Sequence, residues 1–295
     1  IEAEDIVWMP GVVPAFNVAC KAYCEVGDKV MVMVPNYPPL LAAPGLNQLQ
    51  RLDIHTVEVD GRWLPDFEQI EQFAADPKCK LFILCNPMNP VGSVLTKAEL
   101  DRIAEICNAN NVKLCSDEIH CDLILEEGKQ HIPAGRESNL AENSVTLMAA
   151  SKTFNIAGLG TSFAIIPNRQ LRQAFTNAAA GIVPWVTVLG LAATEAAFTQ
   201  CDEWHQQQLT YLRENRDMVF NTVNSIDGLK MLKADATFLA WVDASGLGVE
   251  NVQQWAEEKG VGPSPGIDFH KADHFRINFG CSKAMLQDIL QRLAS

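Results

Sequence analysis

Ser116-Asp117-Glu118-Ile119-His120 decides the reading of this chain, together with Ala150-Ser151-Lys152-Thr153-Phe154-Asn155. The first stretch follows the apolar run Val112 to Cys115, and the second follows Val145 to Ala149. Short continuous apolar runs read as strands buried on both faces. Lys29 to Val34, Ile54 to Val59 and Lys80 to Leu84 are further examples, and Phe163 to Ile166 reads as a strand returning after the lysine motif. Between Leu84 and Val112 sits Thr96-Lys97-Ala98-Glu99, a capping box. It opens a helix with Leu100, Ile103, Ala104 and Ile106 on its apolar side. Strands alternating with helices predict an α/β fold, a mostly parallel central sheet flanked by helices. In such sheets ligands collect at the carboxyl ends of the strands. Asp117 and Lys152 both lie just past such ends, as does Asn89 in Cys85-Asn86-Pro87-Met88-Asn89-Pro90-Val91-Gly92.

An acid and a lysine at neighbouring strand ends can share one small cofactor. The lysine amine can form a Schiff base, and the acid can hold a pyridine nitrogen protonated. That is the protein side of pyridoxal 5'-phosphate chemistry. The three motifs, in this order, resemble the fold-type-I pyridoxal-phosphate enzymes of the class I/II aminotransferase superfamily. Ser116 to His120 and Ser151-Lys152-Thr153-Phe154-Asn155-Ile156-Ala157-Gly158-Leu159 resemble, more narrowly, the MalY/PatB group of carbon–sulfur β-lyases, often called cystathionine β-lyases. The resemblance runs from Pro10-Gly11-Val12-Val13-Pro14 to Phe275-Arg276-Ile277-Asn278-Phe279.

The resemblance implies roles residue by residue. Lys152 is expected to carry the cofactor and act as general base, and Asp117 to pair with the ring nitrogen. Asn89 is expected to donate to the ring's phenolic oxygen, with Asn86 as the competing candidate in the same loop. Tyr37 matches the aromatic that stacks on the ring. His120 stands where many relatives have a tyrosine near that oxygen, and packing in the core is the other reading. Gly11, Val12 and Val13 read as a helix start whose N–H groups cradle the phosphate, with Ser151 adding a hydroxyl. Arg276 matches the clamp on the substrate α-carboxylate, where a planar guanidinium offers two parallel hydrogen bonds. Glu118 reads as structural. Asn155 to Phe163 contain no arginine, unlike most aminotransferase relatives, which favours the β-lyase group.

The implied reaction is α,β-elimination from a sulfur-containing amino acid, giving pyruvate, ammonia and a thiol. The alternatives are an aminotransferase using the same residues, or a regulatory relic with the same fold. The family is expected to be homodimeric and to carry a segment before the position of Ile1 that supplies part of the small domain, part of the substrate pocket and a tyrosine reaching the neighbouring subunit's cofactor phosphate. Here the sequence opens at Ile1.

Composition bounds the rest. A 295-residue chain that is 48% hydrophobic has material for a large core. A formal charge of −13 argues against nucleic acid or an anionic membrane as partner. No basic leader with an apolar core opens the sequence, and no apolar run reaches a membrane span's length of about 18 residues. Nine cysteines without metal-type spacing read as reduced thiols in a cytoplasmic protein, with no metal site expected. Leu171 to Phe198 reads as a long helix interrupted by Pro184, and Glu203 to Val223 as another. Beyond Asp227-Gly228 come a strand at Thr237 to Val242, a helix at Val252 to Lys259, a strand at His274 to Phe279 and a final helix capped by Ser282. The expected division is a large cofactor-binding domain, 1–214, and a smaller α+β C-terminal domain, 215–295.

Overall fold

A computed structural model describes residues 1–136 and 140–295. Among the described residues the large sheet has eight strands. They are β1 (Ile6–Met9), β2 (Lys29–Val34), β3 (Gln50–Val59), β4 (Arg62–Pro65), β5 (Cys79–Cys85), β6 (Lys113–Asp117), β7 (Ser144–Met148) and β8 (Ser162–Ile165). Their order across the sheet is β1-β8-β7-β6-β5-β2-β3-β4. From β7 to β3 the neighbours run parallel. The two borders are antiparallel: β8 with β7 and β1 on one side, β4 with β3 on the other. The expected mostly parallel sheet is what the chain forms.

The helices are α1 (Val12–Tyr23), α2 (Pro38–Leu46), α3 (Phe67–Ala74), α4 (Lys97–Ala109), α5 (Arg169–Ala179), α6 (Val188–Gln200), α7 (Asp202–Val223), α8 (Val252–Glu258) and α9 (Lys283–Ala294). Successive strand residues face opposite sides, and the core divides accordingly. Val30, Val32 and Val34 of β2 join residues of α1, α2 and α5 in one apolar cluster. Met31 and Met33 join Ile70 of α3 and Leu100 and Ile103 of α4 in a second. Fully buried side chains such as Phe16 and Phe82 each contribute roughly 1.5–3 kcal/mol. A third cluster gathers Leu209 and Val219 of α7 with Phe275, Leu286 and Leu290. It underlies a small antiparallel sheet of β10 (Ser264–Pro265), β11 (His274–Asn278) and β9 (Leu239–Asp243), in that order.

The capping box forms as read: Thr96 Oγ1 accepts from Glu99 N–H at 3.3 Å, and Glu99 Oε2 accepts from Thr96 N–H at 2.7 Å. Ser282 Oγ likewise accepts from Met285 N–H at 3.4 Å. The expected helix from Leu171 to Phe198 becomes two, α5 and α6. Pro184 offers no N–H, Gly181 turns the chain at φ +75°, and Thr187 starts α6 afresh by accepting from Gly190 N–H at 3.0 Å. β3 begins at Gln50 rather than Ile54, because pairing with β2 carries its first, partly exposed residues into the sheet.

Candidate active site

The site is built at the carboxyl ends of β5, β6 and β7. In the parallel register Cys85, Asp117 and Leu147 stand side by side. Beyond β7 the chain turns tightly, with Phe154 N–H on Ala150 O at 2.9 Å and Ile156 N–H on Ser151 O at 3.1 Å. This turn holds Lys152 beside Asp117. A cavity of about 380 Å³ opens over these ends, and Gly11, Tyr37, Asn89, His120, Ser151 and Arg276 reach its walls along with the acid and the lysine. Val12 and Val13 line it too. Every residue expected to hold cofactor or substrate thus lines one cavity, drawn from six separate stretches of chain.

Asp117 is 4% exposed, and its Oδ1 accepts from Ile119 N–H at 3.2 Å. Burial pushes its carboxyl up to about 7. The Ile119 N–H opposes that, Glu118 adds to it and Lys152 opposes it. Burial also pushes the His120 imidazole down to about 3, helped by Lys152 and Arg276. The ring is therefore neutral at ordinary pH. Its Nδ1 is buried without a partner, and its face meets Phe238 edge-on at 5.9 Å between centroids.

The N–H groups of the first turn of α1 have no intrahelical acceptor, and Val12 and Val13, which open that turn, both line the cavity. Pro14 adds none. Tyr37 opens α2, braced by its own N–H on Asn36 Oδ1 at 2.8 Å.

Arg276 comes from β11, where it pairs with Trp241 and Ser264. Its Nη1 donates to Asn89 Oδ1 at 3.0 Å and its Nη2 to Ser264 Oγ at 3.1 Å, and its guanidinium lies 4.7 Å over the Phe269 ring. The Nε has no partner, and burial lowers the guanidinium's proton affinity. Asn86 is fully buried below the cavity, its Oδ1 accepting from Leu95 N–H at 3.1 Å. Asn89 is the asparagine of this loop that reaches the cavity. Gly92 holds the loop against the C-terminal part: its φ is +75°, and a Cβ there would sit 2.6 Å from that of Ala234. Gly92 O accepts from Ala236 N–H at 3.0 Å across the same contact.

Phe238 and Asn278 line the cavity without having been singled out in the sequence. Asn278 had a signal, since it shares a strand face with Arg276 two residues earlier. Phe238 follows Thr237, a β-branched residue at φ +74°, a conformation such residues rarely adopt. A second cavity of about 540 Å³ shares Ser151, Lys152, Phe238 and Asn278 and is closed by Trp204 and Tyr211 of α7. The cleft thus continues past the lysine toward that helix.

Residues 1–293 match the family described as aminotransferase class I and II. The chain belongs to the class I and II aminotransferase family. Within it, the chain is of the MalY/PatB type. It is 37% identical to cystathionine beta-lyase PatB of Bacillus subtilis over 99% of its own length and 78% of that protein. A crystal structure of OvoB, 42% identical, superposes with a TM-score of 0.97 over 99% of this chain and 77% of that one. Cystalysin from Treponema denticola, whose crystal structure contains a pyridoxal 5'-phosphate cofactor, is 30% identical with a TM-score of 0.94, covering 100% of this family member and 76% of cystalysin.

Proposed function

We propose that this chain is a pyridoxal 5'-phosphate-dependent carbon–sulfur β-lyase. It cleaves the Cβ–S bond of cystathionine or a related cysteine S-conjugate and yields pyruvate, ammonia and a thiol. The observation that carries the reading is the meeting of Lys152, Asp117, Asn89 and Arg276 in one cavity of a MalY/PatB-type chain. The residues present fit the cofactor. The open N–H groups at the start of α1 suit a phosphate, a buried carboxyl suits a ring nitrogen, and a lysine stands beside it.

Bound there, the cofactor supplies an electron sink for charge developing at the substrate Cα. The chain does the rest. Val12 and Val13 N–H groups and Ser151 Oγ hold the phosphate. Asp117 accepts the hydrogen bond of the ring N–H and keeps that proton in place. Asn89 and Tyr37 orient the ring. Arg276 binds the α-carboxylate and aligns Cα with Lys152. The Lys152 amine, once free, takes the Cα proton as general base. The neutral His120 imidazole completes the wall near Lys152 without adding charge. Departure of the thiol follows from the good leaving group at Cβ, and water, with no keto-acid acceptor, completes the release of pyruvate and ammonia.

We take residues 1–214 as the large domain and 215–295 as the small one, with α7 linking them. Among the described residues no helix is long and apolar enough to cross a membrane. Nine unpaired cysteines fit a reducing cytoplasm. A homodimer fits the exposure of Ile182, Trp185, Val188 and Leu189, which together leave an apolar patch uncovered. Sedimentation showing only monomer would remove the second copy from the reading.

The function is tested with the purified chain, cofactor and L-cystathionine. Pyruvate, ammonia and thiol should form without a keto-acid acceptor. Borohydride reduction and peptide mapping should place the cofactor on the peptide containing Lys152. Turnover that requires a keto acid, with no pyruvate from cystathionine, would replace the lyase with an aminotransferase. An adduct on another lysine would remove Lys152 from its role.

A further inference from the structure

The proposed reaction leaves Glu118 unused, although it follows Asp117 directly. Side chains alternate at a strand end, so Asp117 faces the cavity and Glu118 faces away from it. Glu118 is fully buried. Its Oε1 accepts from Ser116 Oγ and from Ala134 N–H, both at 2.8 Å, and its Oε2 lies 2.7 Å from His131 Nε2. Its N–H continues the ladder onto Leu147 O at 2.8 Å. Among the described residues its ion-pair partner is His131, and no lysine or arginine joins them.

Donor counting fixes the charge of this pair. His131 Nδ1 is buried without a partner. One proton more than an ionised carboxylate and a neutral ring strands a donor: the Nδ1–H of His131 or, with the proton on Oε1, the Ser116 hydroxyl that Glu118 otherwise accepts. With Glu118 ionised and His131 neutral on Nε2, every N–H and O–H finds an acceptor, and only a lone pair is left over. A stranded lone pair costs less than a stranded donor. The pair therefore carries a net negative charge, buried one residue from Asp117 and away from solvent.

We propose that Glu118, oriented by His131, is a positioning carboxylate that governs how firmly the proton is held between Asp117 and the cofactor's ring nitrogen. The inference rests on the cofactor reading above. A second negative charge behind Asp117 favours the protonated ring, because it adds attraction to the same proton without competing for it. The other titratable groups near this pair of acids are Lys152 from the turn after β7, the thiols of Cys85 and Cys115 from β5 and β6, Cys121 from the loop after β6, and Tyr37, His120 and Arg276, which share the cavity with Asp117. Lys152 opposes what Glu118 does.

The test follows the ring nitrogen of bound cofactor labelled with nitrogen-15, by NMR across pH. Glu118→Gln keeps the shape and drops the charge, and its deprotonation midpoint should fall by about one pH unit. His131→Leu removes the donor that makes the anion tolerable and should lower the midpoint too. His131→Gln restores a donor and should return it toward the parent value. Melting temperature and bound-cofactor content are recorded alongside. Glu118→Gln with cofactor bound and an unshifted midpoint would overturn the inference. Should that variant not fold, the two His131 variants decide: a split supports the inference and equal midpoints sink it. A parent chain that binds no cofactor would instead remove the proposed function. The titration of Asp117 Cγ in the cofactor-free chain, with and without Glu118→Gln, would then decide the inference alone.

Discussion

Two carboxyls side by side at the end of β6 meet opposite surroundings. Glu118, turned away from the cavity, has three partners within 2.8 Å. Asp117, turned toward it, has one backbone N–H at 3.2 Å and is otherwise buried. The cavity side is short of partners elsewhere as well: His120 Nδ1 and Arg276 Nε are buried and unbonded. A buried polar group without partners costs about 1–3 kcal/mol, so a fold keeps such groups where something else repays the cost. The difference separates what the strand end needs to hold together from what it needs to react.

The largest expected effect comes from exchanging one residue on each side. Asp117→Asn should lower turnover by about 10²–10³-fold, as loss of one preorganised electrostatic contact does, while melting stays at or above the parent value. Ser116→Ala takes one donor from Glu118 but leaves its charge. It should cost about 1 kcal/mol of stability with turnover within a few-fold of the parent. Melting curves and steady-state rates on both variants check this. Stability lost in the first and turnover lost in the second would erase the distinction.

The smallest expected effect lies in the pH dependence of the cofactor-free chain. The Asp117 carboxyl moves from 3.8 to about 7 on folding. Its contribution to stability is full below about pH 4 and is lost as pH rises through about 7. The His120 imidazole moves the other way, from 6.5 to about 3. Its contribution is full above about pH 6.5 and is lost as pH falls toward 3. The two oppose each other between roughly pH 4 and 6.5. Asp117→Asn leaves His120 unopposed, so its melting temperature should climb with pH across this window more steeply than the parent's. Parallel curves would mean that Asp117 keeps an ordinary proton affinity.

Most of the sheet could be read from the sequence because its central strands are buried on both faces. Lys29 to Val34 and Lys80 to Leu84 are continuous apolar runs for that reason. The edge strands were harder. Ile6–Met9 and Arg62–Pro65 pair on one side only, so nothing in their residue pattern demands a strand. The break between α5 and α6 was visible as Pro184 but not its width, which Gly181 and the new cap at Thr187 determine. Among site residues, those in compact motifs were legible. His131 was not, because it meets Glu118 from thirteen positions away through irregular chain. Ser264 escaped for a similar reason: only the pairing of β10 with β11 brings it to Arg276.

The hydrogen bond from Arg276 Nη1 to Asn89 Oδ1 has a further consequence. On the proposed reading, an arriving substrate finds the guanidinium already engaged by a neutral amide. A carboxylate can displace that amide, because it brings an opposite charge and two oxygens that match the guanidinium's paired N–H groups, where the amide offers one neutral oxygen. A molecule ending in an alcohol or an amide gains nothing by the exchange. The amide thus acts as a resident competitor, and the cavity rejects ligands without an acid by already offering its arginine an equal partner.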